Sequence, residues 1–218
     1  LIIENCSSGG LRMDYGMLSR CSIQSTSDQE NYLQYAVIAA NAPTGVTPEQ
    51  AAVWAYPMNH EESISPDALR EEVIFNMVSA MLLRIHQSGH LAKLDEERKA
   101  LVKQALSVYK TIRPDIRVSR PFWPLGLAGY SDEIVSLGLF VEGKAYLAVW
   151  KRSGAAESVT LPISNAVRTA LDSEKIALSC IYPGPETAEA SYDPLEKAVK
   201  VALPKPVMAR LFELTPDR

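Results

Sequence analysis

The chain has 218 residues, 47% of them hydrophobic and 22% charged, with a formal net charge of −4. At ~150 residues per domain that length holds one or two domains, and the apolar fraction excludes disorder and collagen-like repetition. The longest apolar runs, 134–141 and 145–150, stop well short of the ~20 residues that span a bilayer, and 22 Lys and Arg against 26 Asp and Glu leave no basic excess for counterion release, so neither a membrane nor nucleic acid is an expected partner.

Cys6, Cys21 and Cys180 are too few and too scattered for a disulfide framework or a paired Cys-x-x-Cys metal site, which favours reduced thiols and a cytoplasmic setting. The chain opens at Leu1 without a basic leader or a cleavage signal, and it reads as one whose beginning is missing. Leu1 to Ile3 predict a short buried strand that ends at a polar, glycine-bearing turn, Glu4-Asn5-Cys6-Ser7-Ser8-Gly9-Gly10. Next, Tyr32, Leu33, Tyr35, Ala36, Ile38, Ala39 and Ala40 recur at helical spacing. Ser27 and Glu30 fit a capping box in front of them, which puts Asp28 at a strand-to-helix junction.

The apolar run from Ala51 to Met58 predicts another strand, ending at Tyr56-Pro57-Met58-Asn59-His60. Ser65-Pro66 then places a capping serine and a first-turn proline before a helix that runs from Asp67 through Val73, Met77, Ala80, Met81 and Arg84 to a stop at Gly89. A further amphipathic helix, marked by Leu101, Ala105, Val108, Tyr109 and Ile112, is expected to end at Pro114. Strands and helices thus alternate over 1–117 with polar motifs at strand carboxyl ends, the pattern of βα units. Residues 118–132 read as a linker rich in proline and aromatic residues. From 133 to 218, strands are expected at 133–141, 144–151, 158–163, 176–182, 197–203 and 207–214, with Glu142-Gly143 as a two-residue hairpin. They read as an antiparallel β-sandwich.

Each candidate site residue has a structural reading beside a functional one. An aspartate at a helix N-terminus, as expected for Asp28, is stabilised by the macrodipole whatever else it does. Cys6 reads as a small buried hydrophobe or a nucleophile, and no histidine stands near it in sequence to pair with a thiolate. Gly9 and Gly10 either let the backbone approach a ligand or make a tight turn, and they fit neither a dinucleotide nor a P-loop motif. His86 and His90 are four apart, a spacing that holds zinc on one helix face. Gly89 intervenes and no Glu follows His86, so a surface or packing role is favoured over metal binding. Trp54, Tyr56, Trp123 and Trp150 read as core or as sugar-stacking platforms. Arg12 and Asp14 orient a polar ligand or pair with each other.

Taken together, the run from Glu4 through Gly9-Gly10-Leu11-Arg12-Met13-Asp14-Tyr15-Gly16 to Leu18, followed by Ser25-Thr26-Ser27-Asp28, resembles glycoside hydrolase family 36, the bacterial α-galactosidases. The resemblance continues through Pro48 to Pro57, Tyr109-Lys110-Thr111-Ile112-Arg113 and the tail ending Ala209-Arg210-Leu211-Phe212-Glu213-Leu214, so it covers essentially the whole chain. It implies an α/β plus all-β architecture: residues 1–117 as the carboxyl-terminal half of a (β/α)8 barrel, 118–132 as a linker, and 133–218 as the following β-sandwich. It further implies retaining hydrolysis of terminal α-galactosides, with Asp28 at the general acid/base position and Cys6 and Gly9 against the galactose. Ser8, Arg12 and Asp14 join the expected sugar-binding loop. Two positions depart from the family pattern, Leu11 where a third glycine is common and Asn31 where an aspartate is common.

Retention needs two carboxyl groups about 5–5.5 Å apart, and the resemblance places the family's nucleophile in a Lys-x-Asp type motif on a strand earlier than the Glu4 loop, whereas the one Lys-x-Asp run in these residues, Lys93-Leu94-Asp95, comes after Asp28. A full barrel takes ~250 residues, so the expectation is a fragment, inactive alone, whose open strand edges favour self-association. The complete enzyme is expected to be a homo-oligomer acting on α-galactoside oligosaccharides, with no metal or nucleotide, because two carboxylates supply acid, base and nucleophile. The alternatives are an α-N-acetylgalactosaminidase of the same family, or a non-catalytic carbohydrate-binding or interaction module in which Asp28 only caps a helix.

Overall fold

The structure, a computed structural model, describes residues 1–6, 8–57 and 66–217. The first half of the chain forms a four-stranded parallel sheet in the order β1 (Glu4–Asn5), β2 (Ile23–Ser25), β3 (Ala51–Ala55), β4 (Arg84–Gln87). Neighbours in space are neighbours in sequence, the winding of a barrel; a doubly wound sheet would reverse at a switch point. The sheet is also curled. Three strand spacings separate β1 from β4, about 14 Å if flat, yet Glu4 Oε1 lies 3.6 Å from His86 Nδ1. Between them, the Trp54 ring meets His86 edge-on at 4.9 Å between centroids, and Trp54 Nε1 donates to Ser25 Oγ at 3.1 Å. One side chain from each strand thus shares the concave face.

The opposite face carries Val53 and Ala55, which pack on helices α2 (Tyr32–Asn41) and α3 (Pro66–Met81). A one-turn helix, α1 (Tyr15–Leu18), links β1 to β2, and α4 (Glu96–Ile116) follows β4. Every residue from Glu71 to Leu83 is buried, because α3 is covered by the parallel sheet on one side and by an antiparallel sheet on another.

That second sheet has five strands in the order β5 (Arg120–Phe122), β6 (Ile134–Val141), β7 (Lys144–Lys151), β12 (Met208–Pro216), β9 (Ile176–Tyr182). A third sheet orders β10 (Ala190–Asp193), β11 (Ala198–Ala202) and β8 (Ser158–Pro162). Alternation along β7 feeds two cores: Tyr146, Ala148 and Trp150 join the helices, whereas Ala145, Leu147 and Val149 join Leu161, Val199 and Val201 of the three-stranded sheet and Val167 and Leu171 of α5 (Asn165–Leu171). The two antiparallel sheets therefore share the second core. A buried ion pair ties the halves together: Arg210 on β12 donates to both Glu71 carboxylate oxygens, at 2.9 and 3.0 Å, and Lys205 Nζ reaches Glu71 Oε1 at 2.9 Å.

Several local expectations are corrected. Leu1 to Ile3 are exposed rather than a buried strand, and β1 lies just after them. The cap of α2 is Asn31, whose side chain accepts from the Leu33 and Gln34 amides; Ser27 instead accepts from Gln29 N at 3.0 Å, so no Ser27/Glu30 capping box forms. Helix α3 ends at Met81, not Gly89, and Arg84 and His86 belong to β4, which removes the helical geometry assumed for His86 and His90. Pro114 sits inside the last turn of α4, which continues to Ile116. Residues 118–132 contain β5, paired with β6 through Arg120↔Phe140 and Phe122↔Gly138. Both β10 and α5 are additional to the expected elements. The hairpin at Glu142-Gly143 forms as expected, with Gly143 at φ +73°. The proposed cap Ser65 and the run from Met58 to His60 lie outside the described residues.

Candidate active site

The carboxyl end of β1 is locked to its neighbour by Asn5, whose side-chain amide donates to Gln24 Oε1 at 2.7 Å and to the Arg12 carbonyl at 2.9 Å. The turn that follows passes through left-handed backbone at Ser8 (φ +46°) and Gly9 (φ +70°). A Cβ on Gly9 would stand 2.3 Å from Ser27 Cα, and one on Gly10 2.9 Å from the Thr26 carbonyl oxygen. The glycine pair therefore exists to let one backbone lie against another, that of the segment leaving β2. This close approach sets Gly9 and Gly10 against Thr26 and Ser27, the residues just before Asp28, a juxtaposition that a separation of about 20 residues does not itself disclose.

The segment leaving β2 is held from below as well. Thr26 donates to the Ala52 carbonyl through both its amide (3.1 Å) and its hydroxyl (2.7 Å), tying β2 to β3. Asp28 lies three residues before the Asn31 cap, so it is outside the helix end and is not a capping residue. It is exposed, and its carboxylate has no hydrogen-bond or ion-pair partner among the described residues. Tyr56, just beyond β3, is its neighbour: burial raises the Tyr56 pKa, and the negative charges of Glu30 and Asp28 raise it further. Burial likewise pushes the Tyr35 phenol up to about 12, against hydrogen bonds that lower it.

Of the other expected site residues, Cys6 is exposed with a free thiol and Ser8 is exposed in the turn. Arg12 is exposed and contributes its carbonyl to Asn5. Asp14 caps α1, accepting from Met17 N at 3.0 Å, and no Arg12 to Asp14 ion pair forms among the described residues. Sequence reasoning passed over Glu4 and Ser25 on the concave face, and over Tyr35 beneath Asp28; alternation along β1 to β4 is the signal that groups the first two with Trp54 and His86. Burial lowers the His86 pKa, the nearby Arg84 adds to this, and Glu4 opposes it. Among the described residues no group of three or more His, Cys, Asp and Glu could hold a metal.

A curled parallel sheet wound in chain order, with a glycine turn and an exposed carboxylate at its carboxyl ends and a β-rich region behind it, has the architecture of a partial barrel joined to a β-domain. No family model and no curated protein matches the sequence. Solved structures do match in fold: a glycoside hydrolase family 36 α-galactosidase, AgaA from Geobacillus stearothermophilus in complex with raffinose, superimposes with a TM-score of 0.73 at 20% identity over 99% of this chain. The galactosidase domain of the α-galactosidase-sucrose kinase AgaSK gives 0.71 at 18% over 99%, and the α-galactosidase from Lactobacillus brevis 0.70 at 16% over 100%. This chain spans 29% of the length of each of those chains. The likeness is one of fold, that of the carboxyl-terminal part of these enzymes.

Proposed function

We propose that these residues carry the general acid/base of a retaining α-galactosidase, with Asp28 in that role. The observation that carries the reading is the seating of Gly9 on Ser27, which sets a glycine turn against the residue before Asp28, an exposed carboxylate without a partner among the described residues, at the carboxyl ends of curled parallel strands. That is the end of a barrel where its chemistry is done. In the first step a second carboxylate attacks the anomeric carbon, the glycosidic bond breaks, and the Asp28 proton passes to the leaving oxygen. In the second step water attacks the glycosyl ester, and Asp28 takes its proton, restoring both carboxyl groups.

The nucleophile in this reading lies outside these 218 residues, on another strand of a completed (β/α)8 barrel, and the two antiparallel sheets form its β-sandwich. Cys6, Ser8 and Gly9 face the galactose, and Arg12 and the Asp14-capped turn support that loop. The substrates are oligosaccharides ending in an α-galactoside, the class of the raffinose and stachyose held by AgaA. Three free cysteines favour a cytoplasmic setting, and the open edges of β1 and β4 favour assembly with further chain or with copies.

The test is hydrolysis of 4-nitrophenyl α-galactoside by this chain beside a longer polypeptide holding a whole barrel. Activity in the longer one alone is the expected result. Activity in the short chain would place a nucleophile within it and overturn the mechanism. Silence in both, with turnover of the α-N-acetylgalactosaminide by the longer one, would move the specificity to that sugar.

A further inference from the structure

We propose that Tyr35 is a positioning residue for Asp28, its buried hydroxyl fixing the peptide unit through which the chain enters Asp28; this rests on Asp28 being the acid/base. Tyr35 lies in the first turn of α2 and is 3% exposed. Its hydroxyl donates to the Ser27 carbonyl at 3.1 Å, accepts from the Trp54 amide at 3.2 Å, and stands 3.2 Å from Thr26 Oγ1. The Thr26 hydroxyl has its own acceptor, the Ala52 carbonyl at 2.7 Å, which leaves the Tyr35 proton to serve Ser27. One phenol thus bridges the carboxyl ends of β2 and β3.

The Ser27 carbonyl belongs to the same planar unit as the Asp28 amide, so holding its oxygen sets the plane from which Asp28 departs. The backbone of Gly9 also abuts Ser27. Asp28 itself has no partner among the described residues, so its backbone is what places its carboxyl. A general acid works only within hydrogen-bond reach of the leaving oxygen, and a misplacement of about 1 Å costs on the order of 100-fold. Removing the hydroxyl leaves the ring in the core but strips the Ser27 carbonyl and the Trp54 amide of this partner.

The experiment compares kcat/KM for raffinose, whose leaving group needs protonation, with that for 4-nitrophenyl α-galactoside, whose leaving group does not. It uses the enzyme with its whole barrel and the variants Asp28→Ala, Tyr35→Phe and Thr26→Val. Tyr35→Phe is expected to lose about 10- to 100-fold on raffinose and less than about threefold on the nitrophenyl substrate. Thr26→Val should show the same split at smaller size, and it carries the test if Tyr35→Phe does not fold. Equal losses on both substrates, or none, would overturn the positioning role while a split in Asp28→Ala keeps the acid/base reading. Absence of a split in Asp28→Ala would overturn that reading and this proposal with it.

Discussion

The five-stranded sheet and the parallel sheet obey the same alternation but spend it differently. Along β7, from Ala145 to Trp150, both sets of side chains are apolar and both find a core, one against the helices and one against the three-stranded sheet. Along the parallel strands one set, with Val53 and Ala55, packs on helices, while the other presents Glu4, Ser25, Trp54 and His86 on a concave face. Where both faces are apolar, burial fixes the register twice over, and the region works as a platform. Where one face is polar, the strands can be short and their ends available for chemistry, at the cost of relying on a few hydrogen bonds around Asn5, Thr26 and Tyr35.

The largest effect should come from the seam between the two regions. Glu71→Ala leaves the Arg210 guanidinium, 2% exposed, without its bidentate partner, and the expected destabilisation is about 3–5 kcal/mol in urea unfolding. A loss near zero would mean the platform does not lean on α3. A smaller effect belongs to the site end: Gly9→Ala meets Ser27 at a positive φ and should cost ~1–3 kcal/mol. It should lower the activity of the complete enzyme further than that figure alone explains, because Ser27 must move. Unchanged kinetics in a folded Gly9→Ala enzyme would separate the turn from Asp28.

The sequence was most legible where periodicity and turn chemistry agree, as in the β6–β7 hairpin with its glycine at φ +73° and in the helical spacing from Tyr32 to Ala40. It was least legible where neighbouring signals compete. Leu82, Leu83, Ile85 and His86 prolong the apolar spacing of α3, so the short β4 is hidden behind a helix that ends without a glycine. Ser27 and Asn31 are both good caps, and only the tertiary course of the chain selects Asn31. Pro114 falls in the final turn of α4, where the helix accommodates it and runs on to Ile116. At the site, the glycine turn was visible and its reason was not, since a backbone approach between residues 9 and 27 leaves no mark on either segment alone. A shared site for Cys6 and Asp28 is what the family resemblance implies, and spacing does not suggest it.

The most direct test of Asp28 is chemical rescue of Asp28→Ala in the complete enzyme, using 4-nitrophenyl α-galactoside and sodium azide. Azide attacks the glycosyl-enzyme without needing a base, so the account predicts restored turnover and an α-galactosyl azide product, its configuration retained through two displacements. A β-galactosyl azide would make Asp28 the nucleophile, and no rescue in a folded variant would contradict its assignment as acid/base.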